Sequence, residues 1–449
     1  MGHAPPLKPI VFAAAFALVL AAPAVRAQRF ESSTFTLANG LQVVVIPNHR
    51  APLVSQMIWY KAGGADDPRG HSGVAHFLEH LMYRGTKSLP AGAFNRIVAA
   101  NGGRDNAFTT HDYTAFFQDV ASDRLETVMK LEADRMTNLA LTDANVLPER
   151  QVIIEERHSR VDNAPASLFR EALDAALYIH LPYHTPVIGW LNEMSALSTS
   201  DARAFYRAWY APNNAVLVIS GDVTVPQVRA LAEKYYGPAP RRAVPPHLRL
   251  VEPPHVASQT LTMKSPRVAD PVWMRAWLAP SYTAGDTKQA YALQVLAEVL
   301  GGGPTSLLYR RLVVEQKLAL NAMAFYDPAT RDLSSFNFYA VLAKNVTVAD
   351  FQAALDAVVR DAVAHRLSAA EVERAKSRMC AESVFAQDSL DGLAREVGAA
   401  IADGRSLEDV EAWPDRIGAV TAEQVDAALK SIVKDDVAVT GVLLPGATS

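Results

Sequence analysis

The stretch His76-Phe77-Leu78-Glu79-His80 places two imidazoles four residues apart, with a carboxylate between them. The surrounding residues predict a helix that starts near Ser72, and four residues advance a helix by about 400°, so both rings leave the same face. Two neutral imidazoles can supply half of a tetrahedral zinc site. Glu79 can then act as a general base on a metal-bound water without being a ligand. The alternative is a solvated helix that happens to carry two histidines and an acid.

A third ligand is expected from the predicted helix over residues 144–160. Glu149 and Glu156 are seven residues apart, which is about two turns, so they share one face within roughly 20°. Glu155 points about 100° away from that face. Val152 and Ile153 are expected to help hold this helix in the core. The motif of the first stretch, His76 to His80, has the order H-x-x-E-H, which is the inverse of the commoner H-E-x-x-H zinc motif. By spacing alone, a Glu149/Glu156 ligand face and a solvated face remain open.

The composition limits the classes of protein. A chain of 449 residues, half of them apolar and a fifth charged, suggests two domains of about 200 residues each. The formal charge of −4 argues against nucleic acid or an anionic membrane as the main partner. Because Cys380 is the only cysteine, an intrachain disulfide is excluded and any metal must rely on histidines and carboxylates.

The N-terminus is typical of an export signal. Lys8 precedes an apolar run that begins at Ile10, and Val25-Arg26-Ala27 offers small residues at the −3 and −1 positions of a cleavage site. The run is about 15 residues long, short of the roughly 20 needed to span a bilayer. We therefore predict a signal peptide over residues 1–27 and a periplasmic or otherwise exported protein without a membrane span after cleavage. The alternative is an uncleaved anchor.

Patterns along the chain predict an α+β fold with two related domains. Asn39-Gly40 indicates a hairpin turn between strands. We place the N-terminal domain at residues 28–237, a proline-rich linker at 238–254 and the C-terminal domain at 255–449. Helix, turn and apolar strand recur in the same order over residues 197–221 and 420–441, with Asp435-Asp436 at the second turn, which indicates an internal duplication. The predicted helix over 286–300 corresponds to the motif helix but carries Gln294, Ala297 and Glu298 at the ligand positions.

At this point the residues resemble a known family, the pitrilysin or insulinase family of zinc metallopeptidases (inverzincins), which includes the mitochondrial processing peptidases and small two-domain bacterial members. The similarity covers nearly all of the chain after the signal. It runs through Gly73–Met82, Gly85-Thr86, Asn106–Thr109, the pair Glu149 and Glu156, Pro182-Tyr183, Pro212–Ala215, Gly221–Val223, Gly301–Ser306 and Val420-Thr421.

The resemblance implies a role for each of these residues. His76, His80 and Glu156 are expected to hold one Zn²⁺ per chain, with Glu79 as the general base. Glu149 is expected to orient a ligand or the water from behind the metal. Asn106, Ala107 and Phe108 are similar to a strand edge on which family members bind peptide substrates as an added strand; the alternative is an ordinary strand end. Each domain is expected to hold a mainly antiparallel sheet packed with helices.

One segment departs from the family pattern. Active members usually carry an arginine and a tyrosine where this chain has Val313 and Leu320. Neither replacement can donate a hydrogen bond to developing negative charge, a loss of about 3 kcal/mol per donor. We therefore expect a homologous partner subunit that supplies the Arg/Tyr pair, in a heterodimer or larger assembly. Arg310 or Arg311 could substitute.

The sequence thus predicts a zinc metalloendopeptidase that hydrolyses peptides or unfolded segments. The alternative is a non-catalytic, zinc-bearing subunit that acts as an assembly or peptide-binding partner.

Overall fold

The structure is a computed structural model that describes residues 30–386, 389, 391–433 and 437–446. The predicted signal over residues 1–27 and the predicted turn at Asp435-Asp436 lie outside the described residues. Within the described part of the chain, no helix is long and apolar enough to cross a membrane.

The strands of the described residues form two sheets. Their bounds are β1 (Ser33–Thr36), β2 (Gln42–Pro47), β3 (Leu53–Tyr60), β4 (Arg104–Thr109), β5 (Thr114–Ala121), β6 (Ala215–Gly221), β7 (Gln259–Ser265), β8 (Val272–Ala279), β9 (Ala319–Tyr326), β10 (Ser334–Leu342) and β11 (Val439–Pro445).

Helices connect and cover these strands. Their bounds are α1 (Val74–Leu81), α2 (Ala93–Ala100), α3 (Leu125–Asn138), α4 (Asp143–Arg157), α5 (Pro165–Leu177), α6 (Leu191–Met194), α7 (Thr199–Trp209), α8 (Val225–Tyr235), α9 (Ala290–Gly301), α10 (Val348–His365), α11 (Ala369–Ala386), α12 (Gly392–Ala402), α13 (Leu407–Glu411), α14 (Trp413–Gly418) and α15 (Ala422–Val433). A π-helical segment, His158–Asp162, follows α4. A second one, Tyr309–Glu315, precedes β9.

The two sheets repeat one topology. The first has the order β1-β2-β6-β3-β5-β4 and the second β7-β11-β8-β10-β9. Only β2 with β6 and β7 with β11 are parallel; all other neighbours in the two sheets are antiparallel. Without β1, the two sheets match strand for strand, and α1 follows β3 as α9 follows β8. The α+β prediction with mainly antiparallel sheets is confirmed, and the repeated strand order agrees with the predicted duplication.

The structure tests the predicted hairpin and two predicted helix starts. The hairpin around Asn39-Gly40 joins β1 and β2, which pair antiparallel. The motif helix begins at Val74, within two residues of the predicted start near Ser72. The second-half helix begins at Ala290, after a short 3-10 turn, and not at Asp286.

The proline-rich segment contains no helix or strand between residues 240 and 257, and it is anchored at several points. The buried Glu252 carboxylate accepts the backbone N–H of Ile179, His180 and Leu181 at 2.5–3.2 Å. This agrees with an extended linker. The exact domain boundaries stay a prediction.

Each half supplies a helix that covers the sheet of the other half. In the first sheet, one face packs on α12 through a cluster that includes Trp59, Val218 and Val397. The second sheet packs on α5 through a cluster that includes Phe169 and Leu443. A Cβ at Gly398 would lie 2.0 Å from Trp59 Nε1, so α12 approaches the sheet as closely as only glycine permits. The two halves therefore complete one another's cores.

Candidate active site

The motif helix α1 is fixed at its N-terminus. Gly73 precedes it with φ of 85°, and a Cβ there would lie 2.4 Å from the carbonyl oxygen of Ile188. The Asp67 carboxylate accepts the backbone N–H of Gly73 at 2.6 Å and of Ala75 at 2.9 Å. These bonds satisfy N–H groups that have no partner within the helix. Phe77, Leu78 and the other apolar residues of α1 are buried in the core, which leaves the histidine face toward α4.

The three predicted ligands come together. Glu156 Oε2 lies 3.1 Å from His80 Nε2 and 3.7 Å from His76 Nε2. One ligand atom from each of the three residues lies within 4.8 Å of the others, and this is the one such group of histidine, cysteine and carboxylate ligands found among the described residues. The predicted convergence of α1 and α4 is therefore what the fold produces.

The face of α4 is also as expected, with one exception. Glu149 and Ile153 are buried and Glu155 is exposed. Val152, expected in the core, is wrong: its side chain is 45% exposed. Val152 lies about 100° around the helix from the buried Ile153, and that flank of α4 faces solvent.

Two arginines hold the outer oxygens of the two carboxylates. Glu149 Oε1 lies 2.9 Å from His80 Nδ1, and its other oxygen forms an ion pair with Arg84. Glu156 Oε1 lies 2.5 Å from an Arg160 nitrogen, which leaves Oε2 facing the two histidines. Glu149 therefore contacts Nδ1 of His80, whereas Glu156 faces Nε2 of the same ring. Sequence reasoning missed both arginines because a helical or loop arginine carries no local signal of its partner.

The electrostatics of the histidines differ. Burial, together with the charge of His80, lowers the pKa of His76 to about 4. Burial also opposes protonation of His80, but the adjacent carboxylates of Glu149 and Glu156 outweigh it and raise the pKa of His80 to about 9. The close approach of the His80 ring lowers the pKa of Glu156 below its ordinary value. The two carboxylates thus favour a positive charge at His80, beside the place where a cation would be held.

The predicted base is held by a residue that the sequence analysis did not single out. Glu79 Oε2 accepts a hydrogen bond of 2.5 Å from Thr109 Oγ1 at the end of the edge strand β4. Burial raises the pKa of Glu79, and the Thr109 bond acts in the opposite direction. Thr109 leaves Glu79 Oε1 outside this bond. Nothing in the spacing of residues 79 and 109 indicates such a contact, because it depends on how α1 packs on β4.

The donor set fits zinc. Zinc accepts two imidazole nitrogens and a carboxylate oxygen, and in a tetrahedral site with bonds of about 2.1 Å the ligand atoms lie about 3.4 Å apart. The observed separations of 3.1 and 3.7 Å bracket that value. Glu156 Oε2 is buried and accepts no hydrogen bond from the described residues. A buried oxygen of this kind is well satisfied by a metal ion.

The predicted substrate strand is an edge, and its residues divide between two faces. In the first sheet β4 pairs only with β5. Phe108 packs edge-on against Trp59 and Tyr113, on the face that α12 covers, whereas Thr109 points to Glu79. Since side chains alternate along a strand, Asn106 shares the Phe108 face. The side chains of Asn106 and Phe108 therefore lie on the face away from Glu79.

Val313 and Leu320, where donors were expected, lie in different surroundings. Val313 packs against the second core, and Leu320 is 55% exposed at the start of β9. Arg310 pairs with Glu371 at 2.5 Å, and Arg311 lies 3.2 Å from Glu315. Both arginines are therefore engaged with carboxylates of their own half.

The second half holds an ion pair where the first half holds the ligand cluster. Glu298 of α9, predicted from the sequence to correspond to His80, pairs with Arg378 of α11. Gln294, which corresponds to His76, accepts hydrogen bonds from Tyr282 and Trp413. Burial raises the pKa of Glu298. The positions equivalent to the ligands are thus occupied by a neutral amide and a carboxylate with its own cation.

Comparisons with known proteins agree with this geometry. Residues 42–189 match the insulinase family (peptidase family M16), and residues 196–379 match the M16 inactive domain. The zinc protease PqqE of Helicobacter pylori is 31% identical over 366 residues, covering 80% of this chain and 81% of the relative. A probable mitochondrial-processing peptidase subunit beta of Schizosaccharomyces pombe is 26% identical over 422 residues, covering 92% and 91%.

A solved structure has the same fold as this chain. The crystal structure of a protease from Helicobacter pylori superposes with a TM-score of 0.87 at 27% identity, covering 93% of this chain and all of that one. The family assignment therefore rests on sequence similarity across most of the chain, on shared architecture and on the ligand cluster. This chain belongs to the insulinase family, peptidase family M16.

Proposed function

We propose that the chain is a zinc-dependent endopeptidase in which His76, His80 and Glu156 hold the metal and Glu79 is the general base. The observation that carries this proposal is the meeting of three ligand atoms within 4.8 Å, with the Glu79 carboxylate held beside them by Thr109. A relative at 31% identity is named a zinc protease, which supports the same reaction class.

Zinc, when bound, supplies a Lewis acid that acidifies water and polarises a scissile carbonyl. The chain's own residues do the rest. Thr109 fixes Glu79 Oε2, so Oε1 is the atom that takes a proton from the attacking water and returns it to the leaving amine. The raised pKa of Glu79 makes its carboxylate a stronger base than an exposed glutamate. Glu149 fixes the ring of His80 through Nδ1.

Peptide substrates are proposed to lie along β4. An edge strand offers unpaired main-chain groups to any extended peptide, which gives affinity without strict sequence preference. The Ala107 N–H is at present occupied by the Asn106 side chain at 2.9 Å, so an added strand would displace that contact.

The test of the reaction is a fluorogenic-peptide assay with zinc analysis. Glu79→Gln should retain stoichiometric zinc and lose hydrolysis by at least about 100-fold. Glu156→Gln should lose zinc, whereas the neighbouring exposed Glu155→Gln on the same helix should keep both zinc and activity. Substantial turnover by Glu79→Gln would contradict the role assigned to Glu79.

A homologous partner subunit is proposed to supply the Arg/Tyr pair that is absent at Val313 and Leu320. Arg310 and Arg311, which could substitute in this chain, each pair with a carboxylate, and this supports a contribution from a partner. The Schizosaccharomyces pombe relative is named as a subunit. Purification of the protein from its native host should recover a related second chain. A single chain that is fully active alone would rule the partner out.

Export is part of the same proposal, because residues 1–27 carry the pattern of a signal peptide. Fractionation of the native host, with N-terminal sequencing of the mature chain, should place the protein outside the cytoplasm and find its first residue near 28. An intact Met1 in the cytoplasmic fraction would contradict this.

The second candidate function is a non-catalytic, zinc-bearing subunit. The observation that favours it is the loss of both donors at positions 313 and 320. The peptide assay distinguishes the two, since a non-catalytic subunit would bind zinc yet fail to hydrolyse peptide even with its partner present.

A further inference from the structure

Arg331 lies in the second half, in the loop between β9 and β10, but its side chain is buried against the first half. One guanidinium nitrogen, Nη1, lies 3.3 Å from Asp66 Oδ1 and 2.9 Å from His247 Nδ1. The other, Nη2, donates to the carbonyl oxygen of Asp112. The backbone N–H of Arg331 also donates to Asp112 Oδ2 at 3.0 Å. The side chains of Arg331, Asp66 and Asp112 are only 5–6% exposed.

The first partner, Asp66, adjoins the residue that holds the motif helix. Asp67 accepts the N–H groups at the start of α1, and Asp66 Oδ2 accepts the N–H of Gly63 at 3.1 Å. Because Asp66 and Asp67 are consecutive, the position of Asp66 sets where the Asp67 carboxylate meets the helix that carries His76 and His80.

The second partner, Asp112, lies in the turn that follows Thr109. That turn is joined to the segment before α1 by two backbone bonds, Gly64 N to Thr110 O at 2.9 Å and Ala65 N to His111 O at 2.8 Å. Arg331 thus contacts both segments, close to the points where they hold the metal helix and the base.

The charges explain why one arginine is needed here. Asp66 and Asp112 are both buried, and a buried carboxylate is costly unless it is paired. Tyr183 donates to the Asp112 carboxylate at 2.8–2.9 Å, and His247 Nδ1 lies 2.7 Å from Asp66 Oδ1. Arg331 is the group that bonds to both aspartates at once.

We infer that Arg331 is a positioning residue: through it, the half without a metal holds the motif helix, which carries Glu79, in register with the end of β4, which carries Thr109. The catalytic part of this inference rests on the proposed hydrolase function. Arg331 touches neither the ligands nor Glu79, so its effect is transmitted through Asp66–Asp67 and through Asp112 and Thr109. A misplacement of about 1 Å at a catalytic group can lower a rate by 100-fold.

The first arm of the test needs no metal and no activity. Hydrogen exchange of the metal-free protein is compared for wild type, Arg331→Gln and Arg331→Lys over residues 63–75 and 104–113. Arg331→Gln should exchange at least about tenfold faster over both segments, because local opening becomes easier. Arg275→Gln is the matched control, since Arg275 is a buried arginine whose ion pair with Asp356, at 2.8 Å, lies within the second half. It should leave both segments unchanged.

The second arm measures kinetics on the zinc-loaded enzyme with its partner. Arg331→Gln should lower kcat by about 10- to 100-fold with KM nearly unchanged, and Arg331→Lys should recover part of the loss. The double variant Arg331→Gln/Thr109→Val should lose less kcat than the product of the two single fold-losses, because both substitutions act on Glu79. Tyr183→Phe, which leaves Arg331 in place, should show a weaker effect in the same direction and serves if Arg331→Gln fails to fold.

Unchanged exchange over 104–113 in a folded Arg331→Gln variant would overturn the inference. It would also be overturned if the fold-loss of kcat in the double variant equalled the product of the two single fold-losses. The same holds if Arg275→Gln lowered kcat as much as Arg331→Gln. If wild type hydrolyses no peptide, the proposed function fails while the exchange arm still decides whether Arg331 holds these segments.

Discussion

Replacing Asp403 by asparagine should make the stability of this protein less dependent on pH. Asp403 follows α12, its side chain is 1% exposed, and neither of its carboxylate oxygens accepts a hydrogen bond from the described residues. The nearest cation, Arg405, is 3.9 Å away, at the limit of an ion pair. Burial, together with the charge of Asp112, raises the pKa of Asp403 to about 8.

The direction of the effect follows from proton counting. An unfolded aspartate releases its proton near pH 4. The folded chain keeps that proton up to about pH 8, so over this interval the folded state binds more protons than the unfolded state. The free energy of unfolding contributed by Asp403 therefore falls as pH rises, by about 1.4 kcal/mol per pH unit, and it is fully present only below about pH 4.

The assay is urea unfolding of the metal-free protein at about pH 5.5 and about pH 7.5. Across these two units, the stability of Asp403→Asn relative to wild type should rise by about 3 kcal/mol, as an upper value. Asp409→Asn is the control, because a backbone hydrogen bond from Ser406 lowers the pKa of Asp409. Asp409 is then ionised in both states, and its difference from wild type should stay flat. An equally flat difference for Asp403→Asn would refute a neutral, buried Asp403.

Three further outcomes are expected at the site and between the halves. Thr109→Val should lower kcat by about 10- to 100-fold in the peptide assay while Thr109→Ser stays near wild type, because only the hydroxyl holds Glu79; equal activity of the two would remove Thr109 from the mechanism. Glu149→Gln should weaken zinc binding by about 10- to 100-fold in competition with a chelator, and unchanged affinity would separate it from His80. Gly398→Leu should lower the free energy of unfolding by about 3 kcal/mol in urea, since its side chain would overlap Trp59; a neutral result would mean that α12 is free to move.

Local patterns were sufficient to propose the ligand set and to predict much of the secondary structure. The four-residue spacing of His76 and His80 and the seven-residue spacing of Glu149 and Glu156 are properties of a helix, so they can be read without a fold. The His76/His80 face of α1 and the Glu149/Glu156 face of α4 were predicted from these spacings, and in the structure the two faces contact each other. The prediction that Val152 is buried was wrong, because the apolar character of one helical residue does not determine which side of the helix faces the core.

The sequence by itself therefore determined the α+β class, the hairpin signal, the candidate ligands and the absence of donors at positions 313 and 320. Only the tertiary structure decided that Thr109 holds Glu79, that α5 and α12 each cover the other half's sheet, and that Arg331 joins Asp66 to Asp112. The reason is physical. Helix and strand periodicity is local to the chain, whereas these contacts join residues from 30 to 339 positions apart and exist only once both cores have formed.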